Sequence, residues 1–344
     1  MKTCFHFRLP GASPVVEISS DRDWMLSRVM TLYRKYLVCA GDCREPDAAI
    51  SVRSRKGAYW VLTPWESCIA LPDENEAGVS WRWAARGQGV HDDNQAIWAT
   101  PSRQRPLGLR WESGLSRGFT RLWVQSLVEI SLFRSLQRLD QTLEVFHAAA
   151  ATRHGRCIVL VGDSHSGKTT TCITLCSRGW RFICDDILLA DMRSGQVRPF
   201  SRRVVVRPSS AGFSLLPYLD GQGTAGQPGK RSWGDFSVKS EYCAVDRPYP
   251  ITDVLFLGGF SPSTQVAKLS AIDGMMWLSK WSFNPIGSSH DRLGRYLRCF
   301  GHVRFWNCVL GSEVSAAETI AKASVAPLHP GSAGRPQRGG NSTN

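Results

Sequence analysis

The sequence lacks the long apolar run that a membrane-spanning helix requires. None of its apolar segments approaches the ~18–20 residues needed to cross a bilayer. The first eight residues, MKTCFHFR, contain neither an apolar core nor a cleavage site, so we expect no secretory signal peptide. We therefore expect no membrane span and a cytoplasmic location.

The sequence also lacks a cysteine pattern that would build a disulfide framework or a zinc site. Its eleven cysteines are odd in number and scattered, several of them within apolar runs. Cys39 and Cys43 are close together, but no second pair follows at zinc-finger spacing. Free thiols in the core are the expected outcome.

Acidic residues are too few to balance the basic ones. Lys and Arg exceed Asp and Glu by 42 − 29 = 13, so the surface attracts anions such as ATP, an acidic peptide or nucleic acid. The chain contains no block of Lys and Arg alone, no L-S-G-G-Q signature and no set of helicase motifs. These absences disfavour nucleic acid as the partner.

Strand, turn and helix signals divide the chain of 344 residues into three parts. Residues 1–118 form a β-rich α+β module, with a helix predicted over 24–38, for substrate capture or regulation. Residues 119–326 form an α/β catalytic domain. Residues 327–344 are rich in Pro, Gly, Ser and Asn and are predicted to be disordered.

The predicted catalytic domain opens with a helix over residues 119–139, followed by a strand over 143–150 and a turn over 152–156. The apolar run 157–161 then predicts a strand buried on both faces, as in a parallel sheet. A polar, glycine-rich segment over 220–236 predicts a mobile loop.

A phosphate-binding loop follows the buried strand. The pattern G-x-x-x-x-G-K-[ST] between a strand and a helix predicts a nucleotide site, because loop amides and the helix N-terminus face the phosphates. Lys168 would contact the β- and γ-phosphates, and the Thr169 hydroxyl would bind Mg²⁺. The predicted nucleotide-binding residues are Gly162, Asp163, Ser164, His165, Ser166, Gly167, Lys168, Thr169 and Thr170.

Two further features add candidate catalytic residues. Asp185 and Asp186 follow the strand after the P-loop helix, where one carboxylate would bind Mg²⁺ and the other would accept a proton from an attacking hydroxyl. The sequence leaves their order open. His147 lies on the predicted strand before the P-loop strand, where it is either a core histidine or close to the γ-phosphate.

These residues together resemble the HPr kinase/phosphorylase-like family. The resemblance is carried by His147 with Ala148–Ala150, the P-loop, Arg178-Gly179 and Asp185-Asp186, within residues 144–207. It is closest to divergent branches, some of which modify ribosomal peptides such as lasso-peptide precursors. The resemblance implies the P-loop fold shared with phosphoenolpyruvate carboxykinase and an active-site role for His147. It also implies that the chain can form homo-oligomers.

The chain departs from that family in two places. His165 replaces the usual loop glycine, and a segment containing Arg202, Arg203 and Arg207 replaces the E-I-R-G-L-G-like signature linked to phosphorolysis. One of these arginines could stabilise transition-state charge, or all could form a solvated strand end. The missing E-I-R-G-L-G-like signature argues against phosphorolysis and against HPr as the substrate.

The sequence thus favours an ATP- and Mg²⁺-dependent kinase that phosphorylates a serine of a protein or peptide, either an HPr-like carrier or a ribosomal peptide precursor. One alternative is a nucleotide-binding regulatory switch without kinase activity. The other is a P-loop NTPase that acts on nucleic acid, which steep salt dependence of binding would reveal.

Overall fold

The computed structural model describes residues 3–9, 14–38, 45–55, 58–72, 79–85, 117–200, 202–206, 214–221, 234–283, 289–311, 319–320 and 322. These residues form a mixed α/β structure with several sheets and few helices. Of the loop predicted over 220–236, residues 222–233 lie outside them, and so does the tail 327–344. Both ends of that predicted loop are wrong, because Asp220 and residues 234–236 belong to strands. Within the described residues, no helix is both long enough and apolar enough to span a membrane.

The helices and strands follow in chain order. The helices are α1 (Asp23–Leu32), α2 (Arg117–Leu139), α3 (Lys168–Cys176), α4 (Ala271–Ser279) and α5 (Ser289–Phe300). The strands before the P-loop are β1 (Thr3–Arg8), β2 (Val15–Ser20), β3 (Leu37–Val38), β4 (Ala48–Arg55), β5 (Ala58–Leu62), β6 (Glu66–Pro72), β7 (Val79–Ala85), β8 (Leu143–Phe146), β9 (Ala148–Arg153) and β10 (Arg156–Gly162). Those after it are β11 (Arg181–Cys184), β12 (Leu188–Asp191), β13 (Gln196–Val197), β14 (Val204–Val206), β15 (Leu219–Asp220), β16 (Gly234–Val238), β17 (Tyr249–Phe260), β18 (Gln265–Leu269) and β19 (Arg304–Leu310).

The N-terminal part contains one sheet, in the order β3-β1-β2-β4-β5-β6-β7. β2 and β4 are parallel, with α1 in the connection between them, and the other pairs are antiparallel. The buried side chains of α1 are Met25, Leu26, Val29 and Leu32, a spacing that places them on one helical face. The predicted helix over 24–38 is therefore too long, since the chain leaves the helix after Leu32 and pairs as β3.

The second sheet carries the P-loop, in the order β11-β9-β10-β17-β13-β12-β8, and β19 joins it beside β17. β10 pairs with β17 in parallel but with β9 in antiparallel orientation, so the sheet is mixed rather than parallel. The β9–β10 hairpin turns at His154 and Gly155, both with positive φ, as a tight type I′ turn requires.

Alternating side chains of the central strands enter two different cores. One set, including Val159 and Val161, packs with α4 and α5, whereas Ile158 and Leu160 pack with α3. Since successive strand residues point to opposite faces, helices cover both sides of this sheet, as the apolar run predicted.

A third core joins the N-terminal sheet to the P-loop domain. It contains side chains from β1, β2, α1 and α2 together with Val145, Ile187, Leu189 and Phe200. The rings of Phe133 on α2 and Phe200 lie 5.7 Å apart between centroids, in an edge-to-face arrangement. The two parts are therefore packed against one another through a shared apolar cluster.

Candidate functional site

The P-loop joins the end of β10 to the start of α3. A Cβ at Gly162 would lie 2.6 Å from Oγ of Ser166 and 2.9 Å from the carbonyl oxygen of Leu257, so only glycine fits there. Gly167 precedes α3 in a left-handed conformation with φ 93°. His165 is also left-handed, with φ 71°, although it carries a side chain.

The loop presents groups suited to an anion. The first main-chain bond into α3 runs from the Thr171 N–H to the Gly167 carbonyl, so the preceding N–H groups of the helix have no intrahelical acceptor. Ser166 Oγ is buried, and no described group forms a hydrogen bond with it. Asp163 and His165 are exposed at the rim, and Ser164 and Thr170 are half-buried.

Lys168 lies with its ammonium inside the loop. Its side chain is buried, and Nζ donates hydrogen bonds to the carbonyl oxygens of Gly162 at 2.7 Å and Asp163 at 3.0 Å. Burial lowers the pKa of Lys168, while Asp186 and Asp185 act in the opposite direction. The lysine side chain is thus fixed at the floor of the loop.

Thr169 and Asp185 meet beside this lysine. Thr169 Oγ1 donates to both carboxylate oxygens of Asp185, at 2.8 Å and 3.0 Å. Asp185 is buried, and burial followed by the negative charge of Asp186 raises its pKa to about 7. A hydroxyl and a carboxylate are the hard oxygen donors that Mg²⁺ prefers.

These two residues alone would not enclose a metal. Among the described residues, no group of three or more His, Cys, Asp or Glu side chains is arranged so that it could hold a metal ion. Mg²⁺ is usually bound by one or two carboxylates together with water and substrate phosphates. The Thr169–Asp185 pair therefore fits Mg²⁺ delivered with a nucleotide better than a metal held by protein ligands.

Asp186 has a different environment from its neighbour. Its backbone is left-handed, with φ 59°, and its carboxylate forms an ion pair with Arg202. Burial alone would raise the pKa of Asp186, but nearby cations, Arg202 foremost, hold it well below the ordinary value. Two adjacent carboxylates with pKa values shifted in opposite directions are typical of a site that divides its tasks between them.

His147 lies at a break between β8 and β9, so the single strand predicted over 143–150 is wrong. The break follows from pairing, because β8 pairs with β12 while β9 pairs with β10 and β11. His147 Nδ1 is 3.1 Å from the carbonyl oxygen of Asp186, and the ring stacks on Trp281. Burial and then the charge of Lys168 lower its pKa to about 4, so the imidazole is neutral at pH 7.

The residues predicted from the sequence thus converge at one end of the sheet. His147, Asp185 and Asp186 lie against the P-loop, and Lys168 and Thr169 begin the helix that faces them. Of the three candidate arginines, Arg202 is buried against both aspartates, Arg203 is exposed, and residue 207 lies outside the described part.

Sequence reasoning missed the residues behind Arg202. Glu129 on α2 accepts a hydrogen bond from Arg202 Nη1 at 3.2 Å, and Arg28 and Tyr33 bind the same carboxylate. The one available signal was that Glu129 falls beside the apolar positions of α2, next to buried Val128. A charged residue at such a position requires a buried partner.

A scan against family models finds no match to this chain, and neither does a search of curated proteins.

Proposed function

We propose that this chain is an ATP- and Mg²⁺-dependent serine kinase with an HPr-kinase-like P-loop domain. The observation that carries the proposal is the contact of the Thr169 hydroxyl with both oxygens of Asp185, directly beside the buried ammonium of Lys168. A hydroxyl, a carboxylate and a lysine in that arrangement are the parts that hold a metal-bound triphosphate.

The loop supplies the groups for binding the nucleotide. The N–H groups at the start of α3, the positive end of its dipole and Lys168 all present positive charge to one point. In this proposal Lys168 exchanges its bonds with the Gly162 and Asp163 carbonyls for bonds to phosphate oxygens. Thr169 and Asp185 hold the metal.

Mg²⁺ would supply charge neutralisation for the phosphates. The remaining chemistry belongs to Asp186 and His147. Asp186 is held in a fixed orientation by Arg202, so it would orient the acceptor serine hydroxyl and receive its proton. His147, neutral and with Nδ1 directed at the Asp186 carbonyl, would keep Nε2 as a hydrogen-bond acceptor beside the same residue.

The acceptor is a serine of a protein or peptide, either an HPr-like carrier or a ribosomal peptide precursor. The replacement of the phosphorolysis signature by a segment whose Arg202 is buried against Asp186 favours the peptide precursor. The N-terminal sheet would then be the element that captures the peptide.

Mass spectrometry of HPr, and of any short peptide encoded beside this chain, tests the proposal after incubation with Mg·ATP. The expected result is a gain of one phosphate on a serine, lost with Lys168→Ala and kept with Lys268→Ala. Lys268 is the matched control because it is exposed on β18. ATP binding by the wild type without a phosphorylated product would instead favour a regulatory switch.

Two conservative variants separate the roles of the aspartates. Asp185→Asn should weaken Mg·ATP binding, because the metal loses a charged ligand. Asp186→Asn should leave Mg·ATP binding close to the wild-type value but lower the transfer rate by about 100-fold or more, as expected for loss of a general base. An Asp186→Asn enzyme with wild-type kcat would contradict this assignment.

A further inference from the structure

A series of buried and half-buried ion pairs connects the N-terminal module to Asp186. Arg202 binds the Asp186 carboxylate through one guanidinium nitrogen and the Glu129 carboxylate, at 3.2 Å, through another. Glu129 in turn accepts from Arg28 Nε at 3.3 Å and from the Tyr33 hydroxyl. Arg28 lies on α1, and Tyr33 is the first residue after that helix.

Arg202 has its guanidinium committed to these partners. Its side chain is 2% exposed, and its Nε also donates to the carbonyl oxygen of Asp185 at 3.1 Å. The planar guanidinium thereby fixes the carboxylate of one aspartate and the backbone of the other. Because it is directed at the protein, Arg202 acts on the reaction through Asp186 rather than by touching a phosphate.

The charges in this series of ion pairs are balanced. Two cations, Arg28 and Arg202, alternate with two anions, Glu129 and Asp186, and opposing charges hold the pKa values of both acids below their ordinary values. Glu129 would otherwise be a buried, unpaired carboxylate. Removing a distal member therefore changes how firmly Arg202 is held.

Asp186 needs such support because its backbone conformation is one that residues with side chains adopt infrequently. Its φ of 59° persists only where surrounding contacts enforce it, and here these contacts are Arg202 at the carboxylate and His147 at the carbonyl oxygen. Strain of this type is common at sites where a reacting group must be held in place.

We propose that Arg202 and Glu129 are positioning residues that fix Asp186 for phosphoryl transfer, and that Arg28 and Tyr33 make the N-terminal module a required part of that support. The inference rests on the proposed kinase function. It assigns to the N-terminal module a catalytic contribution in addition to any role in capturing the acceptor.

Arg202→Lys and Arg28→Gln test the ion-pair series next to Asp186 and at its far end. Lysine keeps the charge of Arg202 but cannot bind Asp186, Glu129 and the Asp185 carbonyl together. Removing a group that orients an active residue typically costs about 10- to 100-fold in activity. We expect such a fall in kcat for Arg202→Lys and about a tenfold fall for Arg28→Gln, with KM for ATP and Mg·ATP affinity within about twofold of the wild type.

Arg193→Lys is the matched control, since Arg193 forms an exposed ion pair with Asp191. It should keep the wild-type kcat. Thermal unfolding of each variant separates loss of folding from loss of positioning. Arg28→Gln keeps the inference testable if Arg202→Lys does not fold, because Arg28 lies at the partly exposed end of the ion-pair series.

The outcomes are distinct. Folded Arg202→Lys or Arg28→Gln with wild-type kcat would overturn the positioning role, although the kinase function would stand. A parallel fall in kcat and ATP affinity would indicate a general distortion of the site and would also overturn it. A wild type that transfers phosphate to no acceptor would remove the proposed function and, with it, this inference.

Discussion

At the scale of single residues, His165 is the least expected member of the P-loop. Its φ of 71° lies in the left-handed region, where glycine is the usual residue and histidine is tolerated better than β-branched side chains. The backbone at residue 165 thus has a conformation that glycine adopts without strain, although the residue is a histidine.

Substitutions at His165 should follow that conformation. His165→Gly should leave the fold intact and change Mg·ATP affinity by no more than about threefold, because glycine adopts this φ without strain. His165→Val should lower the free energy of unfolding by about 1–3 kcal/mol, since a β-branched side chain is strained at positive φ. Urea unfolding and calorimetric titration measure both. Equal stability of the two variants would contradict this account.

At the scale of elements, α4 and α5 each contain a glycine, one closely packed and the other with open space around it. α4 is capped by Ser270, whose Oγ accepts a hydrogen bond from the Asp273 N–H. The residue after Asp273 is Gly274, which lies against the ring of Phe305. A Cβ at Gly274 would be 2.1 Å from Phe305 Cγ. A Cβ at Gly294 on α5 would have Arg298 Nη1 as its nearest neighbour outside the helix backbone, at 3.8 Å.

The same substitution should therefore have opposite effects at these glycines. Gly274→Ala should destabilise the protein by about 1–3 kcal/mol, because α4 must move away from β19. Gly294→Ala should stabilise it by about 0.5–1 kcal/mol, because alanine restricts the unfolded chain and favours the helix. Chemical unfolding of both variants measures the difference. Stabilisation by Gly274→Ala would mean that α4 packs less closely than described.

At the scale of the whole molecule, the N-terminal sheet and the P-loop domain share a core. The ring of Tyr36 lies 4.5 Å from that of Phe200, and Tyr33 stacks on Phe200 at 5.7 Å, both measured between centroids. α2 packs on the N-terminal sheet and also on β8. The two parts are therefore expected to unfold together.

A fragment beginning at residue 117 should not fold stably. Its α2 side chains Val124, Leu127, Leu132, Phe133 and Leu136 lie in the shared core. Exposing a buried side chain of this type costs about 1.5–3 kcal/mol, and a few of them equal the ~5–15 kcal/mol stability of a typical domain. The full chain should show one thermal transition by circular dichroism and tryptophan fluorescence. A fragment with a cooperative transition and Mg·ATP binding would contradict this expectation.

The sequence by itself determined the features that local signals encode. The apolar run of β10 and the glycines of the P-loop are both readable within about twenty residues, because strand period and turn chemistry are short-range. Asp185 and Asp186 were recognisable for the same reason, as they follow the next strand along the chain.

Only the tertiary structure decided the contacts between distant segments. The Glu129–Arg202 pair joins residues 73 positions apart, and Arg28–Glu129 joins residues 101 apart. The break at His147 likewise depends on which strands pair with β8 and β9, and a run of alanines does not indicate that choice. A sequence pattern shows which residue types are present, but a buried charge finds its partner only when packing brings separate elements together.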